Sequence, residues 1–262
     1  MEQHNTQGVP VDTAVIMAAG RGTRMKELTA TTPKPLLPVE GRPFLLYALE
    51  RLAAAGFTRV VVVTGHMREQ FDVVLQQTPS GLEVQTVNQY AVTPENHYGT
   101  AMAILAAEAA TKGETFIALA GDQLYSLSDL QRIRHFDEEL HVMSVISSDH
   151  PKDFGIAVLG ENNMLQEIAE KSENPPGNLA NMSLYRFLPE IFDTIKQVKE
   201  SERGEYELTD AITILAGKKK VKVMELAEPC LHLSNPDDMN TAREFVQNGD
   251  NKVRPHSSVD RA

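Results

Sequence analysis

The sequence predicts an α/β fold: a Rossmann-like, mostly parallel sheet with helices on both faces, continued by a mixed-sheet extension. Three observations predict it. Short apolar runs such as Arg59-Val-Val-Val-Val63 and Phe116-Ile-Ala-Leu-Ala120 lack the alternation of a half-exposed strand, so they read as strands buried on both faces, the mark of a parallel sheet. Between them lie stretches with apolar residues at helical spacing, so strand and helix alternate. From Val142 the strands become shorter and are separated by turn clusters, which suits a mixed sheet.

Taken in order, Val15-Ile-Met-Ala-Ala is a buried first strand that breaks into Gly20-Arg-Gly22-Thr-Arg24. Phe44 to Ala55 reads as a helix stopped by Gly56, since glycine accepts the left-handed conformation that closes a helix. Strand Arg59 to Val63, an amphipathic helix from Met67 to Gln77 and an alternating strand from Leu82 to Val87 follow. Asn88 to Tyr98 reads as a ligand-facing loop, with a helix from Gly99-Thr100-Ala101 to about Ala110 behind it. Strand Phe116 to Ala120 ends in Gly121-Asp122, placing a carboxylate at the sheet edge where open α/β folds bind ligands. The extension has strands at Val142 to Ser147, Ile156 to Leu159, Leu165 to Glu170 and Leu184 to Phe187. Helices at Pro189 to Lys199 and Glu207 to Ala216, a strand at Val221 to Glu225 and a last helix after Asn235-Pro236 complete the chain.

The first loop carries the chemistry. A glycine-rich break after a buried strand lets backbone N–H groups form a concave anion site, and Arg24 and Lys34 supply two cations close by. Two familiar glycine loops are excluded. No G-x-x-x-x-G-K-[ST] occurs, and a dinucleotide fingerprint would need a third glycine where Met25 stands. Pro33, Pro35 and Pro38 oppose an early helix, because each lacks an N–H and disfavours helical geometry in its predecessor. The loop is therefore expected to be long and non-helical.

Ala18-Ala-Gly-x-Gly-Thr-Arg24 followed by Pro33-Lys-Pro-Leu-Leu-Pro-Val39 resembles the signature of the sugar-1-phosphate nucleotidyltransferases. The resemblance covers about residues 13 to 245 and implies condensation of a sugar 1-phosphate with UTP or dTTP, releasing pyrophosphate. It implies that Arg24 steadies the leaving phosphates, that Lys34 bridges the reacting phosphates, and that Asp122 holds Mg²⁺. Ala18, Ala19, Gly20, Gly22, Thr23, Gln89, Gly99 and Thr100 would bind the nucleotide. Gly155, Glu170, Lys171 and Asn181 match segments that bind the sugar phosphate, although Met182-Ser183 replaces the family's Thr-Gly. The family's second metal ligand lies in a D-x-D/G-T-P-like stretch; here the sequence is His232-Leu-Ser-Asn235-Pro. Asn235 is the expected ligand, since an amide oxygen suits a hard cation better than imidazole does. The resemblance places the nucleotide-binding part at 13–140 and the sugar-phosphate part at 141–247, between a flexible segment at 1–12 and a disordered tail at 248–262.

Composition bounds the alternatives. The 262 residues carry 42% hydrophobic content and a net charge of −11, enough for a full core and without the basic footprint of a nucleic-acid binder. No segment reads as a signal peptide or membrane span, and the single Cys230 fits a packed residue in a reducing compartment. These point to the cytoplasm, and a homo-oligomer is compatible with them. Asn88-Gln-Tyr90 with Asn96 leaves open a CTP-dependent cytidylyltransferase acting on a sugar or alcohol phosphate. A non-catalytic nucleotide-sugar-binding homologue is the second alternative. With no hexapeptide repeat, acetyltransferase activity is not expected.

Overall fold

A computed structural model describes residues 9–94, 97–170 and 172–248. In chain order, β1 (Thr13–Met17) leads into the glycine loop, and a small hairpin, β2 (Pro38–Val39) and β3 (Arg42–Pro43), precedes α1 (Phe44–Ala54). Then come β4 (Arg59–Thr64), α2 (Glu69–Val74), β5 (Glu83–Asn88), α3 (Gln89–Val92), α4 (Thr100–Ala106), β6 (Phe116–Ala120), β7 (Gln123–Leu124) and α5 (Leu127–Arg134). The second half holds β8 (His141–Ser147), β9 (Gly155–Leu159), β10 (Leu165–Glu170), β11 (Leu179–Phe187), α6 (Ile191–Ile195), α7 (Leu208–Gly217), β12 (Val221–Glu225), β13 (Leu231–His232) and α8 (Asp238–Asn248).

Nine strands form one mixed sheet. Its parallel half runs β5-β4-β1-β6; β11 then joins β6 in the antiparallel sense and carries β9 with β10 and, separately, β8, to which β12 is added in parallel. The unbroken valines of β4 lie between β1 and β5, fully buried. Successive side chains alternate between faces, so Val15, Val61 and Val63 join one cluster with residues of α4, α6 and α7. Ala14, Ile16, Val60 and Val62 join a second cluster with α1, Phe71 and Ile133. Helices thus cover both faces, as the sequence predicts.

Several expectations are corrected. The signature loop is not free of helical turns: residues 23–29 and 34–36 form 3₁₀ segments, which need only i→i+3 bonds such as Met25 N–H to Gly22 O at 2.9 Å and therefore tolerate the nearby prolines. The 67–77 helix shortens to α2 because only Phe71 on it is buried, leaving little apolar face to hold more turns. The loop after β5 contains α3, capped by Asn88 Oδ1 accepting from the Tyr90 N–H. Helix α5 was not foreseen, yet its signal is present: Ser126 and Asp129 have capping-box spacing, and Ser126 Oγ accepts from the Asp129 N–H at 3.1 Å. The last extension strand begins at Leu179, earlier than expected, and is bent at Ser183, whose φ is 49°. The N-terminal segment is tied down before Thr13, since buried Val11 bonds to Arg134 through both its N–H and its carbonyl. Lys171, Asn96 and, of the tail expected at 248–262, residues 249–262 lie outside the described residues, while Asn248 ends α8.

A third cluster lies beneath the signature loop. Met25, fully buried, packs with Leu37, Val39 and Phe44, and with Leu231, Leu233, Met239 and Phe245 from the chain's last elements. The Arg51 guanidinium lies 4.8 Å over the Phe245 ring. Gly22 governs the loop's other side: its φ is 63°, and a Cβ there would come within 3.0 Å of Thr29 and 3.1 Å of the Lys34 Cβ.

Two outcomes follow. Phe245→Ala is expected to cost about 3 kcal/mol of unfolding free energy in urea; a loss below about 1 kcal/mol would show that α8 does not anchor the loop. Gly22→Ala should lower the unfolding free energy by about 1 kcal/mol, because alanine disfavours a φ of 63°, and should displace Lys34, seen as an altered Lys34 ammonium signal by NMR.

Candidate active site

The carboxyl ends of the parallel strands open into a cavity of about 330 Å³. Its wall includes the β1 loop residues Ala18, Ala19, Gly20, Gly22, Thr23 and Arg24, then Lys34, Gln89, Gly99, Thr100 and Asp122. Every nucleotide-binding and catalytic candidate from the sequence therefore meets at one place, though the positions span more than a hundred residues. The fold explains it: β1, β5 and β6 are parallel, so their following loops emerge on the same edge.

Lys34 is held by its neighbours. Pro33 fixes the backbone before it, and the Leu37 N–H donates to its carbonyl at 3.2 Å. Its Nζ donates to Asp122 Oδ2 at 2.6 Å, with both side chains largely buried. Asp122 is anchored from two sides. The Gly121 N–H donates to Met17 O at 3.0 Å, and the Leu233 N–H donates to the Asp122 carbonyl at 2.9 Å. Burial alone would raise the pKa of the Asp122 carboxyl, but the neighbouring His232 and the Lys34 ammonium outweigh it and hold the group well below the ordinary carboxylate range. Arg24 is exposed at the cavity rim.

On the opposite wall, Gln89 is 1% exposed. Its Nε2 has no hydrogen-bond partner, and an unpartnered buried amide costs free energy unless a ligand satisfies it. Gly99 has φ 137°, and a Cβ there would fall 2.3 Å from Tyr206 O. That close approach lets Tyr206 N–H donate to Tyr98 O at 2.8 Å and Ala101 N–H donate to Tyr206 O at 3.0 Å. Thr100 Oγ1 accepts from the Leu208 N–H at 3.0 Å, so this loop also fixes the start of α7. Tyr98, Ser183 and Glu205 complete the wall and were not singled out from sequence. Glu205 sits in the Gly204-Glu-Tyr stretch, and Ser183 follows the departure at Met182, so both had a signal.

The sugar-phosphate candidates gather beside this cavity and not in its wall. Glu170 pairs with Gly155 across β9 and β10, and its Oε2 lies 2.7 Å from where a Gly155 Cβ would be. Arg203 stands 3.6 Å from Glu170 and 2.8 Å from Glu207. Asn181 spends its amide locally: Nδ2 donates to the Tyr185 hydroxyl at 2.9 Å, and Oδ1 accepts from the Ser183 N–H at 3.1 Å. These bonds shape the bend that brings Ser183 to the cavity.

Asn235, the expected second metal ligand, is engaged in a local turn. Its Oδ1 accepts from the Asp237 N–H at 2.9 Å and its own N–H donates to Asp238, a turn that starts α8. The residue that meets Asp122 is His232, with Nε2 3.6 Å from Oδ2. No group of three or more His, Cys, Asp or Glu side chains able to hold a metal occurs among the described residues. The Asp122 carboxylate fits Mg²⁺, which takes one or two protein carboxylates and fills its remaining positions with phosphate oxygens and water. Burial pushes the Cys230 thiol up to about 12, which disfavours the thiolate. No helix among the described residues is long and apolar enough to cross a membrane.

Comparison with known proteins agrees with this geometry. The family model described as nucleotidyl transferase matches residues 13–229. The bifunctional protein GlmU of Methanocaldococcus jannaschii is 31% identical over 233 residues, covering 89% of this chain and 54% of that protein. The UTP–glucose-1-phosphate uridylyltransferase AglF of Haloferax volcanii is 28% identical over 239 residues, covering 89% of this chain and 96% of AglF. The chain thus spans about half the length of several curated relatives it matches, and nearly all of another. A crystal structure of UDP-glucose pyrophosphorylase complexed with UDP-glucose shares the fold with a TM-score of 0.80 at 21% identity, over 91% of this chain and 99% of that one. A putative glucose-1-phosphate thymidylyltransferase from Bacillus anthracis gives 0.75 at 23% identity, over 92% and 97%. By the span of the matched family model, residues 13–229, the chain belongs to the nucleotidyl transferase family.

Proposed function

We propose that the chain condenses a sugar 1-phosphate with UTP or dTTP, yielding a nucleotide sugar and pyrophosphate, as a Mg²⁺-dependent enzyme of the cytoplasm. The observation that carries this reading is the convergence of the glycine loop, Arg24, Lys34 and Asp122 on one cavity at the strand ends. An oxygen of the sugar phosphate attacks the α-phosphorus, a new P–O bond forms, and the bond to the bridging oxygen of pyrophosphate breaks. The attacking phosphate is already ionised near neutral pH, so no general base is needed and the protein contributes position and charge.

Each residue has a task in that scheme. The backbone N–H groups of residues 18–23 and the exposed Arg24 receive the leaving phosphates. Lys34 sits where it can shift between Asp122 and the phosphate charge. The unpartnered Gln89 Nε2 donates to a carbonyl acceptor on the base, which uracil and thymine both offer. Asp122 would hold Mg²⁺ together with triphosphate oxygens, and the bound cation would neutralise phosphate charge there. Asn88 caps α3, so it gives the cytidylyltransferase alternative no support.

The test is pyrophosphate release from each of four nucleoside triphosphates with a panel of sugar 1-phosphates. Fastest turnover with UTP or dTTP is expected; faster turnover of CTP with an alcohol phosphate would overturn the reading. Lys34→Ala should lower the rate about a hundredfold, the equivalent of about 3 kcal/mol of electrostatic stabilisation. A loss of less than twofold would remove Lys34 from the chemistry.

Asp122→Asn should raise the Mg²⁺ concentration needed for half-maximal rate, and it should also change acid stability in a defined direction. The folded-state pKa of Asp122 is depressed, so its stabilisation is complete above its unfolded-state pKa of about 4 and is lost as pH falls toward the folded value. The stability gap between the wild type and Asp122→Asn should therefore be constant near neutrality and shrink below about pH 4 in denaturant titrations. A gap that widens on acidification would contradict the ion pair's role.

A further inference from the structure

The reaction scheme leaves His232 without a task, although it is the side chain that the last strand presents to Asp122. Its Nε2 lies 3.6 Å from Asp122 Oδ2. Two features hold it there. Ser234 Oγ is 3.1 Å from His232 Nδ1, which fixes the ring and turns Nε2 toward the carboxylate. The pairing of His232 with Gln123, together with the Leu233 N–H to Asp122 O bond at 2.9 Å, locks β13 beside the residue that bears the carboxylate. Asn235, three positions later, is occupied in its own turn.

We propose that His232 is a nitrogen ligand of the divalent cation held by Asp122, so that the site combines a carboxylate with an imidazole and has a higher ratio of Mn²⁺ or Co²⁺ to Mg²⁺ affinity than an all-oxygen site would. The inference rests on the proposed nucleotidyl-transfer reading. Neighbouring ligands on a six-coordinate ion with bonds of about 2.1 Å stand roughly 3 Å apart, so a small rotation of the imidazole brings Nε2 and Oδ2 to that spacing. With Nδ1–H donating to Ser234 Oγ, Nε2 keeps the lone pair a metal requires, the outer-shell arrangement usual for ligating histidines. Mg²⁺ favours oxygen donors and gives up water reluctantly, whereas imidazole suits the borderline cations that follow it in affinity. A histidine at this position therefore weights the site toward the softer ions, where a second carboxylate would not.

The test uses the full chain with Mn²⁺ and a non-hydrolysable UTP analogue. Pulsed EPR of the bound Mn²⁺ should show nitrogen modulation from a directly coordinated imidazole, and His232→Asp should abolish it. In the same variant the ratio of Mn²⁺ to Mg²⁺ affinity, measured by competition, should fall about tenfold. Mn²⁺ bound without nitrogen modulation in the wild type would overturn the inference and leave His232 as a side chain that only orients Asp122. Binding of the analogue without any Mn²⁺ would overturn it together with the metal dependence proposed above, and failure of the analogue to bind would overturn the nucleotidyl-transfer reading as well.

Discussion

The structure is organised around the contact between Lys34 and Asp122, at 2.6 Å. It joins two loops 88 residues apart in sequence, and each loop leaves a different parallel strand at the same edge. Two opposite charges this close attract by several kcal/mol at the effective dielectric of a partly buried site. Withdrawing them from water offsets most of that gain, so the pair is better understood as a constraint on position than as a source of stability. It draws the 34–36 turn against the end of β6. Alongside the larger contribution of His232, it also helps keep Asp122 ionised in a setting where burial alone would favour the neutral acid.

That contact depends on packing from behind. Within the 3₁₀ segment at 23–29 of the signature loop, Met25 is the apolar residue that is fully buried. Its partners are Leu231 and Leu233 beside β13, and Met239 and Phe245 on α8. The same short segment supplies backbone bonding to Asp122 and the imidazole beside it. Asp129 extends the restraint, since its carboxylate accepts from the N–H groups of Ala227 and Glu228 and so fixes the approach to β13. Residues beyond 229, where the match to the family model stops, therefore help shape the loop on which the family signature lies.

The parallel half was legible in the sequence because its strands are buried on both faces, and burial there leaves nothing but β-branched and small apolar residues. Valines 60 to 63 and the run Phe116 to Ala120 carry that record. The cavity was legible because its residues cluster in short motifs after strand ends. Legibility failed where one side chain serves a neighbour far along the chain. Thr100 reads as a helix start, yet its hydroxyl caps α7 across 108 residues. Asn181 reads as a sugar ligand, and its amide also secures a strand bend. The position of His232 beside Asp122 has no signal in the sequence: the two-residue pairing of β13 with β7 decides which side chain reaches Asp122, and a strand that short leaves almost no periodic pattern.

Charge explains why a chain of net charge −11 can offer a site to polyanions. Interactions among exposed charges are screened beyond about 10 Å in dilute salt, so the distant carboxylates of the surface matter less to a phosphate in the cavity than its nearest groups do. Those nearest groups are the glycine-loop N–H donors, Lys34 and Arg24, with Asp122 beside them. Lys34 and Asp122 cancel one another, which leaves the pocket floor close to neutral. A nucleoside triphosphate arriving with a divalent cation brings both the anion that Lys34 can meet and the cation that Asp122 can meet. In the proposed reaction one internal ion pair would be exchanged for two intermolecular ones, so the full binding energy of either charge would become available only when nucleotide and metal enter together.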